Sequence, residues 1–213
     1  MTTHQVKFVH ITPNAEELIA YMARVSNPAN QNNTETSQRL IRYLIEHKHW
    51  SPFEMVNMCV EIDTTRSIAA QILRHRSFSF QEFSQRYSDI SSIGTPAIPA
   101  LRRQDTKNRQ NSIDDIDEDK KKFFDAKISH LYSECYRVYQ DLLDAGVAKE
   151  CAREVLPLAT PTRLYMNGTI RSWIHYCQLR CGNGTQLEHK IIANGAYKLL
   201  QEHLPNVCAV LDV

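Results

Sequence analysis

The sequence predicts an α+β fold: a single domain over residues 1–213, with a mixed or antiparallel sheet and long helices. Three observations carry this prediction. Segments 5–11, 55–63 and 162–169 alternate at period two, and most of the remaining apolar residues recur at helical spacing. The two kinds of segment also follow one another without the strand–helix–strand rhythm of a doubly wound sheet. At 213 residues, 42% hydrophobic and 23% charged, the chain has the size and composition of one ordinary globular domain.

"QVKFVHI" (5–11) alternates as a strand does. "NAEELIAYMARVS" (14–26) follows as a helix with Leu18, Ile19, Met22 and Val25 on its apolar side and Asn14 at the N-cap. A second helix is expected over 34–49, with Leu40, Ile41, Leu44 and Ile45 as its buried stripe. "SPFE" (51–54) places Ser at a cap position, Pro at the first helical position and Glu three residues after the Ser. It therefore starts a short turn before the strand 55–63. "TTRSIAAQILRHR" (64–76) reads as a helix whose apolar side is Ile68, Ala69, Ile72 and Leu73, with Gln71, Arg74 and His75 sharing another side.

Residues 77–88 read as a loop, and 88–119, polar and broken by Gly and Pro, as a long surface excursion or lid. A long amphipathic helix over 120–146 ends at Gly146 in the C′ position. A shorter helix over 148–156 stops at Pro157. After the strand 162–169, Thr169 caps a helix over 170–180; "CGNGT" (181–185) breaks the chain, and a last helix runs over 186–204.

Net charge is +1, so no global basic field favours nucleic acid. No stretch is apolar for long enough to span a bilayer, and "MTTHQVKFVHITPN" lacks the apolar core of a signal peptide. The six cysteines form no C-x-x-C pair. They read as reduced core thiols of a cytoplasmic protein, with a zinc pair at Cys177 and Cys181 as the alternative. His47 and His49 invite a metal, but no third ligand lies at a recognisable spacing, so no metal is expected.

Against this neutral background, "LRHRSFSFQEFSQRYS" (73–88) gathers Arg74, His75, Arg76 and Arg86 against one acid, Glu82. Arg153 and the segment 171–180 add further arginines from remote parts of the chain. Arginine's planar fork recognises phosphate or carboxylate and stays charged when partly buried. Phe78, Phe80, Phe83 and Tyr87 imply such burial, and buried arginines need anionic partners that the local acids cannot supply. Ser77, Ser79, Ser84 and Ser88 add donors, while the Gly-rich P-loop, the G-x-G-x-x-G fingerprint and the G-x-S-x-G elbow are all missing. The residues alone therefore indicate a phosphorylated small molecule. A solvated or salt-bridged basic face, and a catalytically silent nucleotide or RNA binder, stay open beside it.

Arg74-His75-Arg76, seven residues and then Ser84 resembles the R-H-R-x7-S signature of the flavin-dependent thymidylate synthases, the ThyX family. Gln71, Glu82, Arg86 and Tyr87 extend the match. "HWSPFE" (49–54), "REVLPL" (153–158) and "TIRSWIHYCQLR" (169–180) follow the family's order, so the resemblance covers roughly residues 12–205. It implies a homotetramer of α+β subunits with active sites built between subunits. The implied reaction makes dTMP from dUMP, with carbon from methylenetetrahydrofolate and hydride from FAD reduced by NADPH.

By the same resemblance Gln71, Ile72, Leu73, Arg74, Glu82, Phe83, Ser84, Gln85, Arg86, Arg153 and Arg180 contact dUMP. Ser51, Arg74, His75, Arg76, Glu82, Thr169, Ile170, Arg171 and His175 contact FAD, and His49 and Tyr87 lie near the flavin and folate pocket. Arg180 is the catalytic residue implied, stabilising negative charge on the pyrimidine, and Ser84 a positioning hydroxyl; no cysteine is assigned as nucleophile. Arg171 and His175, i and i+4, share one face of their helix, and Arg180 points about half a turn away, so one helix could address both ligands. The chain departs from the family at Gln81 and Thr169, where Asn is common, and at Gly184, where others carry His; these departures bear on the FAD side.

Overall fold

The computed structural model describes residues 4–213; the first three residues of the opening stretch read above for a leader lie outside it. A four-stranded antiparallel sheet has the order β1 (Gln5–Ile11), β2 (Asn57–Thr65), β6 (Pro161–Thr169), β3 (Phe78–Glu82). The chain visits it through α1 (Ala15–Ala23), α2 (Ser37–Glu46) and α3 (Arg66–Ile72). It then passes a two-stranded hairpin, β4 (Arg103–Gln104) with β5 (Ser112–Ile113), and α4 (Glu118–Asp144), α5 (Lys149–Ala152), α6 (Ile170–Arg180), α7 (Leu187–His203) and α8 (Pro205–Cys208).

The period of two decides which face of the sheet is buried. Met58, Val60, Ile62 and Thr64 of β2 and Thr162, Leu164 and Met166 of β6 point into the core, where Trp173, Ile174 and Cys177 of α6 and Ile192, Ala193 and Ala196 of α7 cover them. The intervening residues make a charged lattice on the other face: Lys7 bonds Glu61 and Asp63, Arg163 bonds Asp63, and Tyr165 donates to Glu61. Trp173 donates its indole N–H to the Met58 carbonyl at 2.9 Å, locking α6 to the middle of the sheet.

Several expectations need correction. Asn14 makes no side-chain cap; it adopts the left-handed conformation, and α1 ends before Val25, which is exposed. The second helix is shorter than 34–49, and Ser51 lies inside a 3₁₀ turn instead of capping it. Helix α3 stops at Ile72, so Arg74, His75 and Arg76 sit in a turn and not on a helix face. Phe78–Glu82, read as loop, pairs with β6 as an edge strand: its phenylalanines alternate inward, and the β6 backbone offers partners that local spacing could not reveal.

The excursion 88–119 is partly built. Ile90 is buried with Tyr139 and Ala152 in a satellite cluster, and Arg102 pairs with Glu188 of α7. The end of α4 is as read: Gly146 at φ +82°, with Gly146 N–H on Leu143 and Val147 N–H on Leu142, closes the helix in a Schellman motif. Helix α8 was not expected.

Candidate active site

Two groups of cationic residues stand apart on this frame. The first lies where the turn after α3 meets the end of α6 and the start of α7. Thr169 caps α6, its hydroxyl accepting the Ser172 N–H at 3.2 Å, and the helix carries Arg171, His175 and Arg180 in the faces predicted. Arg180 donates its Nε–H to His75 Nε2 at 3.0 Å. Burial first, then the charge of Arg180 and the proximity of His175, push the His75 pKa down to about 4. The imidazole is therefore neutral at physiological pH and can only accept at Nε2, a bond that commits only the Nε–H of Arg180.

Behind this pair lies a buried aromatic and polar layer. Tyr176 stands edge-on to His75 with ring centroids 4.9 Å apart, and the fully buried His189 lies 3.1 Å from the Tyr176 hydroxyl. His189 is also held near a pKa of about 4, by burial and then by Arg180 and His75. Neither Tyr176 nor His189 was singled out from sequence; His189 sits on a helical face otherwise made of Ile192, Ala193 and Ala196, and only its partners distinguish it from core.

Beside this layer opens a cavity of about 430 Å³ lined by Trp50, Glu54, Ser77, Arg171, Ser172, Ile174, His175 and Gln178. Arg171 bonds Glu54 across it. Arg171 and His175 were expected here and Ser77 was read as a donor; Trp50, Glu54 and Gln178 were given no role, although all four of these further residues lie inside quoted motifs. Ser51 and His49 are exposed nearby in sequence, His49 packed edge-on to Tyr43. Ile72 and Ile170 are fully buried, so only their backbones could reach a ligand.

The second group is a ledge formed by 83–90 against α5 and the turn that follows it. Arg86 bonds Glu150 at 2.9 Å, Lys149 donates to the Tyr87 carbonyl at 3.1 Å, and Arg153 lies next to Glu154. Ser84 is exposed, its carbonyl accepting from Tyr87 and Ser88. Gln85 is only 7% exposed, and its Nε2 has no hydrogen-bond partner among the described residues. Tyr87 is 85% exposed, which corrects the expectation that the aromatics bury this stretch; Phe78 does so, and Phe80 and Phe83 in part.

Arg74, Arg76 and Leu73 are exposed in the turn between the groups, and among the described residues Arg74 and Arg76 make no ion pair. Glu82, expected at both ligands, instead takes Arg66 at 2.6 Å and Thr162 at 2.9 Å on one oxygen. No hydrogen bond among the described residues joins the Arg180 group to the ledge. Gln81 is exposed on the edge strand and Gly184 lies at φ +90°, a backbone that suits glycine. Cys177 on α6 and Cys181, the residue that ends it, are neighbours, but no three metal-ligating side chains come together among the described residues.

Comparison with known proteins gives one consistent answer. Residues 7–206 match the family model described as thymidylate synthase complementing protein. The chain is 52% identical over 198 residues to the Paramecium bursaria Chlorella virus 1 protein named "Probable flavin-dependent thymidylate synthase", covering 93% of this chain and 91% of that one. It is also 52% identical over 197 residues to the flavin-dependent thymidylate synthase of Synechocystis sp., covering 92% and 89%. Among solved structures, the UMP/dUMP methylase PolB of Streptomyces cacaoi, bound with 5-Br dUMP, superposes with a TM-score of 0.87 at 25% identity over 99% of this chain and 95% of that one.

Proposed function

This chain belongs to the flavin-dependent thymidylate synthases, and we propose that it converts dUMP to dTMP by reductive methylation. Methylenetetrahydrofolate supplies the carbon, and FAD reduced by NADPH supplies the hydride. The observation that carries the reading is the Arg180–His75 pair. A guanidinium held through Nε by a neutral imidazole is fixed in place without losing charge, and its two Nη groups are left for a ligand.

Set against the pyrimidine, Arg180 stabilises negative charge as N3–H ionises or O4 gains electron density, an effect of roughly 3–4 kcal/mol for a well-placed donor. Gln71 and Arg74 reach the nucleotide from the same group. Ser84, Gln85, Arg86 and Arg153 reach it from the ledge, where the orphaned Nε2 of Gln85 is a donor waiting for an acceptor.

The residues of the 430 Å³ cavity fit FAD: Arg171, His175, Ser77 and Ser172 offer donors to phosphate oxygens, and Trp50 offers an aromatic surface. Phosphate would replace Glu54 on Arg171. That no hydrogen bond among the described residues joins the Arg180 group to the ledge supports sites shared between copies, in a homotetramer. Helix α4 supports it too: of its 27 residues only Tyr139 is buried, while Phe123, Phe124 and Leu131 are exposed. The six free thiols agree with a cytoplasmic protein.

Tritium release from 5-tritiated dUMP tests the function. Release should require both methylenetetrahydrofolate and NADPH, and the purified protein should be yellow. A colourless protein that cannot be loaded with FAD and releases no tritium would overturn the proposal in favour of a nucleotide-binding protein.

A further inference from the structure

Glu188, at the start of α7, ends a chain of hydrogen bonds that runs into the core. Arg102, arriving from the 88–119 excursion, donates Nη2 to both Glu188 oxygens at 2.7 and 3.0 Å, and the two side chains are only 12% and 16% exposed. Gln186 Nε2 donates to Glu188 at 2.9 Å, Gln71 Nε2 lies 2.7 Å from Gln186 Oε1, and Gln71 Oε1 lies 3.3 Å from His189 Nδ1. His189 Nε2 then meets the Tyr176 hydroxyl at 3.1 Å.

An ionised carboxylate can only accept. Burial opposes ionisation of Glu188, but its bonds from Arg102, the backbone and Gln186 outweigh it and hold the carboxyl below its ordinary range. Gln186 must therefore turn its amide nitrogen to Glu188 and its oxygen to Gln71. Gln71 must give nitrogen to Gln186 and oxygen to His189. His189 must carry its proton on Nδ1, so Tyr176, a phenol kept protonated by burial, donates to Nε2. Reversing His189 sets lone pair against lone pair in a buried place, and reversing the half-buried Gln71 or the exposed Gln186 sets oxygen against oxygen along the chain.

We propose that Glu188, Gln186 and His189 are positioning residues that fix the amide of Gln71, so that Gln71 presents a donor N–H, never its carbonyl, to an acceptor oxygen of the bound nucleotide. The carbonyl of Gln71 and one of its N–H groups are committed inside the chain, and the second N–H remains on a half-buried side chain. The inference rests on the nucleotide reading of the site and adds three residues to it. Neither Glu188, Gln186 nor His189 need touch the substrate.

The test is dUMP affinity and the split of KM from kcat in FAD-loaded enzyme. His189→Leu, which removes the Nδ1 donor, and Glu188→Gln, which keeps the size but not the all-acceptor end, should each weaken dUMP about tenfold, or about 1.4 kcal/mol. FAD absorbance should be retained and kcat changed less than KM. His189→Asn, whose amide nitrogen can stand in for Nδ1, should stay within about threefold of wild type. His189→Leu or Glu188→Gln binding dUMP as wild type does, or His189→Asn as weak as His189→Leu, overturns the inference while the functional reading stands. Should His189→Leu not fold, the outer Glu188→Gln variant decides. A wild-type protein that binds neither FAD nor dUMP overturns the functional reading, and this inference with it.

Discussion

Arg180 and Arg86 belong to the same constellation in sequence, yet the fold holds them in opposite ways. Arg180 is backed by a neutral histidine, an edge-on tyrosine and a second buried histidine, all anchored on the main core. Arg86 stands 68% exposed on Glu150, over a satellite cluster of Ile90, Tyr139 and Ala152. One guanidinium is placed before any ligand arrives; the other is tethered by an exposed ion pair of the kind worth about 0–1 kcal/mol, which an incoming phosphate can displace. On the proposed function, the rigid group serves the chemistry and the yielding ledge the capture of the anion.

The sharpest way to break this division is Arg180→Ala. It should cut dTMP formation by about 10²–10³-fold in a tritium-release assay while FAD absorbance is retained; equal loss of flavin would merge the two roles. Next, Gly168→Ala attacks the packing beneath the rigid group. Gly168 faces Phe78 across the β6–β3 pair, and a Cβ there would stand 2.7 Å from Phe78 Cε1. A loss of about 1–3 kcal/mol in urea unfolding is expected; an unchanged midpoint would mean that the ring moves freely. On the ledge, Arg86→Ala should raise the KM for dUMP about tenfold with little change in kcat or melting temperature, and added salt should shrink the difference. A kcat effect as large as that of Arg180→Ala would sink the contrast.

A pH series sharpens it further. His75 and His189 titrate near 4 in the folded chain against an ordinary value of 6.5. Between those values the unfolded chain binds more protons, so both groups favour folding above pH 6.5 and lose that contribution as pH falls toward 4. Unfolding midpoints should decline over that window, and His75→Gln should flatten the decline. Smallest of all, Glu150→Ala should change stability by no more than about 0.5 kcal/mol by the same measurement.

Much of the scaffold was legible because it is local. The strand 5–11, the helix 170–180 with its Thr169 cap and the glycine stop at Gly146 follow from periodicity and capping chemistry, and all three recur in the structure. Strand β3 was not legible, because its ladder partner lies in β6, more than 80 residues away. The candidate site divides likewise. Arginine clustering and the R-H-R-x7-S spacing stand out in one dimension, whereas Tyr176, His189, Gln186 and Glu188 look like ordinary helix residues until their partners are seen.

What the sequence determined by itself was the family, the α+β class and the cationic residue types, because spacing and composition are properties of the chain. Only the tertiary structure decided that His75 is neutral, that Arg180 is fixed through Nε, and that Arg86 stays loose. Those outcomes depend on burial and on contacts between residues about 60 to 118 positions apart, and no local pattern encodes them.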